Sequence, residues 1–332
     1  MVICPLFNDK FTATIDYFDE KRTGIYMVRN YLPQIVGLNG HNPAANVGAV
    51  SSKGFDGHFS YKQRINDVNL TVRGNITYSK NEVLERDEEN NVYAYQMQRG
   101  YRVDQCKGLI AEGLFKDYDD IRNSPTQSWG KVQPGDIKYR DVNGDGVING
   151  YDTKPIFRNK TPKLFYGFTL NAQWKNMDLT MVFQGAGMYN IRFNEVFSQM
   201  FFNNGNLPAY FFDRWHLEDS YDPDNTNWVP GKWPANRFSQ EMGSSYRDSQ
   251  AWNMKASYLR LKSFEVGYIL PRTFTKKYGV ENLRLYFNAY NLFTFTDSFL
   301  KQFDPEKTEG DYGAGYNYPL TKSFNVGLSV SF

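Results

Sequence analysis

Apolar and polar residues alternate along this chain in short runs, most cleanly near its end. There Phe324, Val326, Leu328, Val330 and Phe332 fall on one face of a strand, and Asn325, Gly327, Ser329 and Ser331 fall on the other. The run from Val68 does the same, with Val68, Leu70, Val72, Gly74, Ile76 and Tyr78 set against Asn69, Thr71, Arg73, Asn75, Thr77 and Ser79. A face carrying Arg, Asn and Thr in series is not a protein core and reads as the wall of a wet lumen. A hairpin follows the same rule: Tyr166, Phe168, Leu170, Ala172 and Trp174, a Lys175-Asn176 turn, then Met177, Leu179, Met181 and Phe183. Its opposite face holds Thr169, Asn171, Gln173, Asp178, Thr180 and Gln184. Phe11 to Phe18, Phe55 to Lys62, Phe264 to Leu270 and Leu283 to Leu292 complete the clear strands, each near the length that crosses a bilayer when tilted. Alternation alone fits a soluble β-sandwich as well as a transmembrane barrel.

The connections favour the barrel. Asp19 to Thr23, Gln63 to Asp67, Lys175-Asn176 and Pro271 to Asn282 are short, whereas Asn30 to Lys53, Ser79 to Thr161, Gly185 to Ser257 and Thr294 to Pro319 are long. Short turns on the periplasmic side and long loops outside are the habit of outer-membrane barrels, and this order puts the carboxyl end in the periplasm. The expected fold is therefore all-β: an antiparallel transmembrane barrel segment of about nine to eleven strands with long extracellular loops. Leu109 to Phe115 and Asp136 to Tyr139 are the two further strand candidates, to be added to the wall only as a pair.

Composition narrows the class. Of 332 residues, 17% are aromatic, including 24 Tyr and 26 Phe. The mean hydropathy of -0.61 accompanies a sequence without one stretch long and apolar enough for a helical span. A net charge of +2 points to neither nucleic acid nor an anionic surface. Cys4 and Cys106 show no spacing that supports a disulfide. The amino terminus lacks the basic, apolar and cleavage regions of a signal peptide, so the expectation is that the chain starts within a larger protein.

One local motif carries metal chemistry. Asp141, Asn143 and Asp145 supply side-chain oxygens at positions 1, 3 and 5 of a calcium-type loop, with Gly146 at the sharp turn, the Val147 carbonyl at 7, Asn149 at 9 and Asp152 at 12. Asp152 is shorter than the usual glutamate, so Ca2+ would be held weakly or would compete with Mg2+. The alternative is a glycine-rich turn whose aspartates cap backbone amides. A second candidate surface is the aromatic stretch from Tyr189 to Trp252, where Tyr210, Trp215, Trp228, Trp233 and Trp252 stand among Asn, Asp and Arg. Such rings suit stacking on a glycan or gripping a peptide, and equally suit a loop folded on its own aromatic core. Catalysis finds no support, since His41, His58 and His216 have no metal-ligand spacing and no nucleophile or phosphate motif occurs.

Several blocks together resemble the SusC/RagA-type TonB-dependent outer-membrane transporters of Bacteroidetes. They are PGDIKYRDVNGDGVING from Pro134, PKLFYGFTLNAQWKNMDLTMVFQGAG from Pro162, DRWHLEDS from Asp213, ASYLRLKSFEVGYILP from Ala256, LRLYFNAYNLFTFT from Leu283 and the closing YPLTKSFNVGLSVSF. The resemblance implies the carboxyl-terminal half of a barrel of roughly 22 strands, over residues 1–332, without the plug domain or TonB box. It implies TonB-energised import of oligosaccharides or peptides across the cell outer membrane, and a SusD-like surface lipoprotein as partner. Phe332 is then the signal read by the outer-membrane assembly machinery. Such a fragment is not expected to transport alone, because both its end strands would lack a partner in lipid. A passive porin or adhesin barrel and a soluble secreted glycan-binding β protein are the competing readings. Burial of the apolar strand faces against a second sheet would identify the soluble one.

Overall fold

A computed structural model describes residues 2–6, 10–29, 32, 35, 37, 41–88, 93–155, 161–222, 224–237, 243–306, 318 and 320–332. One antiparallel sheet dominates it. Nine strands form a continuous path in chain order: β1 (Val2–Leu6), β2 (Phe11–Val28), β3 (Ala44–Ile65), β4 (Val68–Glu85), β5 (Leu164–Trp174), β6 (Met177–Gly187), β7 (Tyr258–Ile269), β8 (Asn282–Tyr290) and β9 (Ser323–Ser331). A two-residue strand, Thr294–Phe295, adds to β7. Among the described residues β1 and β9 end the path and do not pair with each other.

The alternation read from sequence is the alternation of the wall. Val72 is opposite Leu170 and Tyr61, Leu170 is opposite Met181, Met181 is opposite Phe264, and Phe264 is opposite Ala289, which is opposite Phe324. An unbroken apolar row thus crosses seven strands on one face. On the other face Thr71 meets Asn171 and Lys62, and Asn171 meets Thr180, opposite Glu265. Because directly paired residues share a face, one register error would have turned polar residues into the apolar side.

No second sheet covers the apolar face among the described residues. Phe324, Val326 and Leu328 are 61%, 82% and 58% exposed, and Ile15, Phe59, Ile76, Trp174 and Leu285 are also exposed. The buried-face requirement of the soluble sandwich is therefore not met. The hydrophobic core lies instead in the long connections, where Tyr139, Tyr189, Phe211, Trp252 and Leu300 are packed together.

Connection lengths alternate, but not at the bounds expected from sequence. Asp19–Thr23 is not a turn: β2 runs straight through it, and a bulge between Arg22 and Ile25, beside Gly24 at φ 66°, absorbs the irregularity. Its strand-breaking look comes from charged residues that a strand tolerates when both faces are wet. Likewise β3 already begins at Ala44 and β4 continues to Glu85, so both neighbouring loops are shorter than expected. The strand that keeps the count at nine is β1. Tight turns close the other end, at Asn66-Asp67, where Asn66 takes φ 53°, and at Lys175-Asn176. The extra strand pair expected at 109–115 and 136–139 forms, as Ala111–Leu114 against Ile137–Tyr139, but as a separate two-stranded sheet outside the wall. Ile137 and Tyr139 are buried in the loop core, and strands of three and four residues are far too short to cross a bilayer.

Candidate functional site

The polar face of the wall is organised by ion pairs that cross strands. Near the short-turn end, Arg284 on β8 donates through Nε to Asp178 Oδ1 on β6 at 3.0 Å and through Nη2 to Glu265 Oε1 on β7 at 2.7 Å. The guanidinium spans two strands because the residue between is glycine: a Cβ on Gly267 would stand 2.4 Å from Arg284 Nη2. Asn69, Asn171, Gln173, Asn176 and Thr180 surround this cluster and line a recess of about 600 Å³. Thr180 donates to Asn171 at 2.9 Å, and Asn325 to Asn288 at 2.9 Å. His58 sits on the same face, paired in register with Thr14 and Asn75. The side chains around the cluster can hydrogen-bond a polar solute, and Arg284, Asp178 and Glu265 are already partnered with one another.

At the long-loop end the wall carries a second, far more buried ion cluster. Arg260, 4% exposed, lies opposite Gln184 on the polar face. It donates to Thr294 Oγ1 at 2.8 Å, to Glu306 Oε2 at 2.8 Å and to Asp304 Oδ1 at 2.7 Å. Lys262 adds a 2.7 Å bond to the other Glu306 oxygen. Asp304 also accepts the backbone amides of Glu306 and Leu320. Burial opposes ionisation of Asp304, but Arg260 and those two amides outweigh it and hold the carboxyl below its usual range. This clamp draws the connection between β8 and β9 onto the inner side of the wall.

The aromatic loop core roots on that side too, through Ala186 of β6 and Tyr258 of β7, which oppose each other and are both buried. Trp233 and Trp252 stack at 5.9 Å, Tyr210 leans on Trp233 at 5.0 Å, and Phe211 closes the group. Trp252 Nε1 donates to the Ser245 carbonyl and the Tyr210 hydroxyl to that of Phe197. Trp215 is 8% exposed and seats on Gly135, where a Cβ would come within 2.5 Å of its own. Burial thus favours the loop-core alternative for three of these rings: Trp233 and Trp252 pack against other rings, and Trp215 is buried against Gly135. Tyr210 is largely enclosed with them. Trp228 stands apart, in a two-residue strand that pairs with His216–Leu217.

Beneath this core Asp136, 2% exposed, accepts from Arg237, Ser245 and the Gln133 amide. Burial pushes its carboxyl above the usual range in spite of the opposing Arg237. Burial likewise pushes the Tyr139 hydroxyl up, and it donates to the Ser244 carbonyl.

The calcium-type loop is folded as a capped turn. Asp141 accepts the amides of Gly144 and Gly146, Asn143 that of Asp145, and Asp145 that of Val147. Asn149 caps Tyr151, and Asp152, fully buried, accepts Asn149 N at one oxygen and Val142 N at the other. No group of three or more His, Cys, Asp or Glu among the described residues is arranged to hold a metal. The side chains expected to ligate Ca2+ or Mg2+ thus each accept a backbone amide, and Asp152 does so at both oxygens.

Sequence reasoning found the two faces and missed both ion clusters. Arg284, Glu265 and Asp178 were legible only as polar-face residues. Arg260 sits in the SYLRLK block between Leu259 and Leu261, and a cation in that setting was the available signal.

Comparison with known proteins places this architecture. No family model matches the chain. Over 98% of its length it is 26% identical to TonB-dependent receptor P3 and 25% identical to TonB-dependent receptor P26, both of Formosa agariphila. It spans about a third of each, 33%. Among solved structures, the RagAB peptide importer in the open-open state superposes with a TM-score of 0.70 at 21% identity. The RagAB peptide transporter superposes at 0.69 and 22%. Each comparison covers 98% of this chain and 33% or 34% of the other. These likenesses show the fold, and the resemblance read from the motifs is borne out: the chain is similar, end to end, to one third of a TonB-dependent receptor.

Proposed function

We propose that this chain, similar throughout to a stretch of TonB-dependent receptors, forms part of the wall of an outer-membrane importer for large polar nutrients, oligosaccharides or peptides. One observation carries the reading: a single-layer sheet has an exposed apolar face and an ion-paired polar face, which suits lipid outside and a wet passage inside. The passage end marked by long connections carries a folded aromatic core and the Arg260 clamp, a rigid rim on which a SusD-like lipoprotein would sit. Energy would come through the TonB complex, and insertion through the outer-membrane assembly machinery. The Asp141–Asp152 loop acts in this reading as a structural clasp, since its oxygens already cap amides.

The test is uptake. Cells producing the whole protein should accumulate fluorescently labelled oligosaccharide or peptide, lose that uptake when the proton gradient is collapsed, and yield a lipoprotein on purification in mild detergent. Uptake that survives collapse of the gradient would favour a passive porin and sink the energised reading.

A further inference from the structure

The outward face of β2, β3 and β4 changes chemistry at one level. Directly opposed residues form the rows Phe11–Tyr61–Val72, Ala13–Phe59–Gly74, Ile15–Gly57–Ile76 and Tyr17–Phe55–Tyr78. The next two rows on the same face are Asp19–Lys53–Lys80 and Lys21–Ser51–Glu82. The last apolar row is aromatic, with Phe55 and Tyr78 stacked at 5.8 Å and Tyr17 exposed. Beyond it, Lys53 pairs with Asp19 at 2.9 Å and Lys80 with Glu82 at 3.9 Å, all four side chains standing in the open.

The height of the apolar band has an independent measure. From Val68, next to the Asn66-Asp67 turn, to Tyr78 is about 33 Å along β4 at ~3.3 Å per residue. A strand tilted by about 40° converts that to ~25 Å along the normal, the height of a lipid-facing band. The strands do not stop there. β2 continues to Val28, β3 begins at Ala44 and β4 reaches Glu85. Alongside this upper part of β4, Val83 exchanges backbone bonds with Gly100 and Tyr101 at 2.8 Å, taking over where β5 has ended.

Resting on the membrane reading above, we infer that the upper hydrocarbon boundary crosses β2–β4 between the Tyr17–Phe55–Tyr78 row and the Asp19–Lys53–Lys80 row. Lipid chains are the partner below that line. Above it the three strands stand in water as a ribbon rising from the wall, with residues 100–101 as its lateral support. Aromatic rings at the edge and paired charges immediately past it are the order that a hydrocarbon-to-water gradient selects.

Single cysteines in the full-length protein, reconstituted in bilayers with Cys4, Cys106 and any other native cysteine replaced by serine, locate the line. Phe59→Cys and Ile76→Cys probe the band, and Lys53→Cys, Ser51→Cys and Lys80→Cys probe the ribbon. Heat-modifiable migration confirms that each variant is folded. A charged, membrane-impermeant maleimide should label the ribbon sites nearly completely and the band sites hardly at all. Protection of Lys53→Cys and Ser51→Cys to the level of Ile76→Cys would overturn the inference while leaving the membrane reading intact. Equal labelling of every outward site would refute the membrane reading as well.

Discussion

A lysine introduced on each face of β4 at the same depth tests which side meets lipid. Val72 lies on the apolar face, about 13 Å along the strand from Val68 and about 20 Å from Tyr78, near the middle of the band. Its opposed neighbours are Tyr61 and Leu170, so an ammonium there has no anionic partner within the row. Val72→Lys should cost about 2–4 kcal/mol, the value for a cation at mid-bilayer on a lipid-facing strand position. Thr71, one residue away, points to the polar face between Lys62 and Asn171. There the ammonium stays hydrated, and the facing lysine costs about 0.2–1 kcal/mol. The chain itself places Arg73 on that face, two residues further along. Equilibrium unfolding in guanidinium from lipid vesicles, followed by loss of heat-modifiable migration, reads both variants against the unsubstituted protein. Equal destabilisation by Val72→Lys and Thr71→Lys, or a harmless Val72→Lys, would refute the assignment of the two faces.

Further outcomes concern the loop end. Trp252→Ala removes a ring stacked on Trp233 and 3% exposed; a loss of about 3–5 kcal/mol should appear as faster proteolysis of the long connections, with the wall strands still protected. Arg260→Met leaves Asp304 buried without its cation and Glu306 with Lys262 alone, and an effect of about 3–5 kcal/mol is expected as early hydrogen exchange around residues 294–306. The folded-state carboxyl of Asp304 is held below its unfolded value, so its contribution is present above the ordinary carboxylate range. It is lost as pH falls through the depressed folded value, and exchange at residues 294–306 measured down the acid limb should accelerate there in the native chain but not in Arg260→Met. Asp152→Asn turns a donor toward one of two backbone amides and should cost about 1–3 kcal/mol in thermal unfolding. Added Ca2+ should leave the native midpoint unmoved, and a clear rise would return the loop to the reading of an ion site.

The wall was legible because its signal is local and repeated. Val68 to Ser79 states both faces of β4 within a dozen residues, and a strand in contact with lipid on one side and water on the other cannot depart from that period. Where both faces are wet the signal fails, which is why Asp19–Thr23 looked like a connection although it continues β2; the stretch from Ala44, small and largely apolar, has no polar alternation to show although it belongs to β3. The aromatic loops misled for the opposite reason. Trp215, Trp233 and Trp252 have the composition of a ligand surface and of a core alike, and burial decides between them.

Most of the strands, their two faces, the alternation of short and long connections and the likeness to TonB-dependent receptors follow from neighbours along the chain, whereas β1 does not. It takes the folded chain to bring Arg260 to Asp304 across 44 residues, to set Arg284 between Asp178 and Glu265 over Gly267, and to give Asp152 two amides. Those contacts depend on register between strands and on the packing of long loops, and neither is encoded in the period of a single segment.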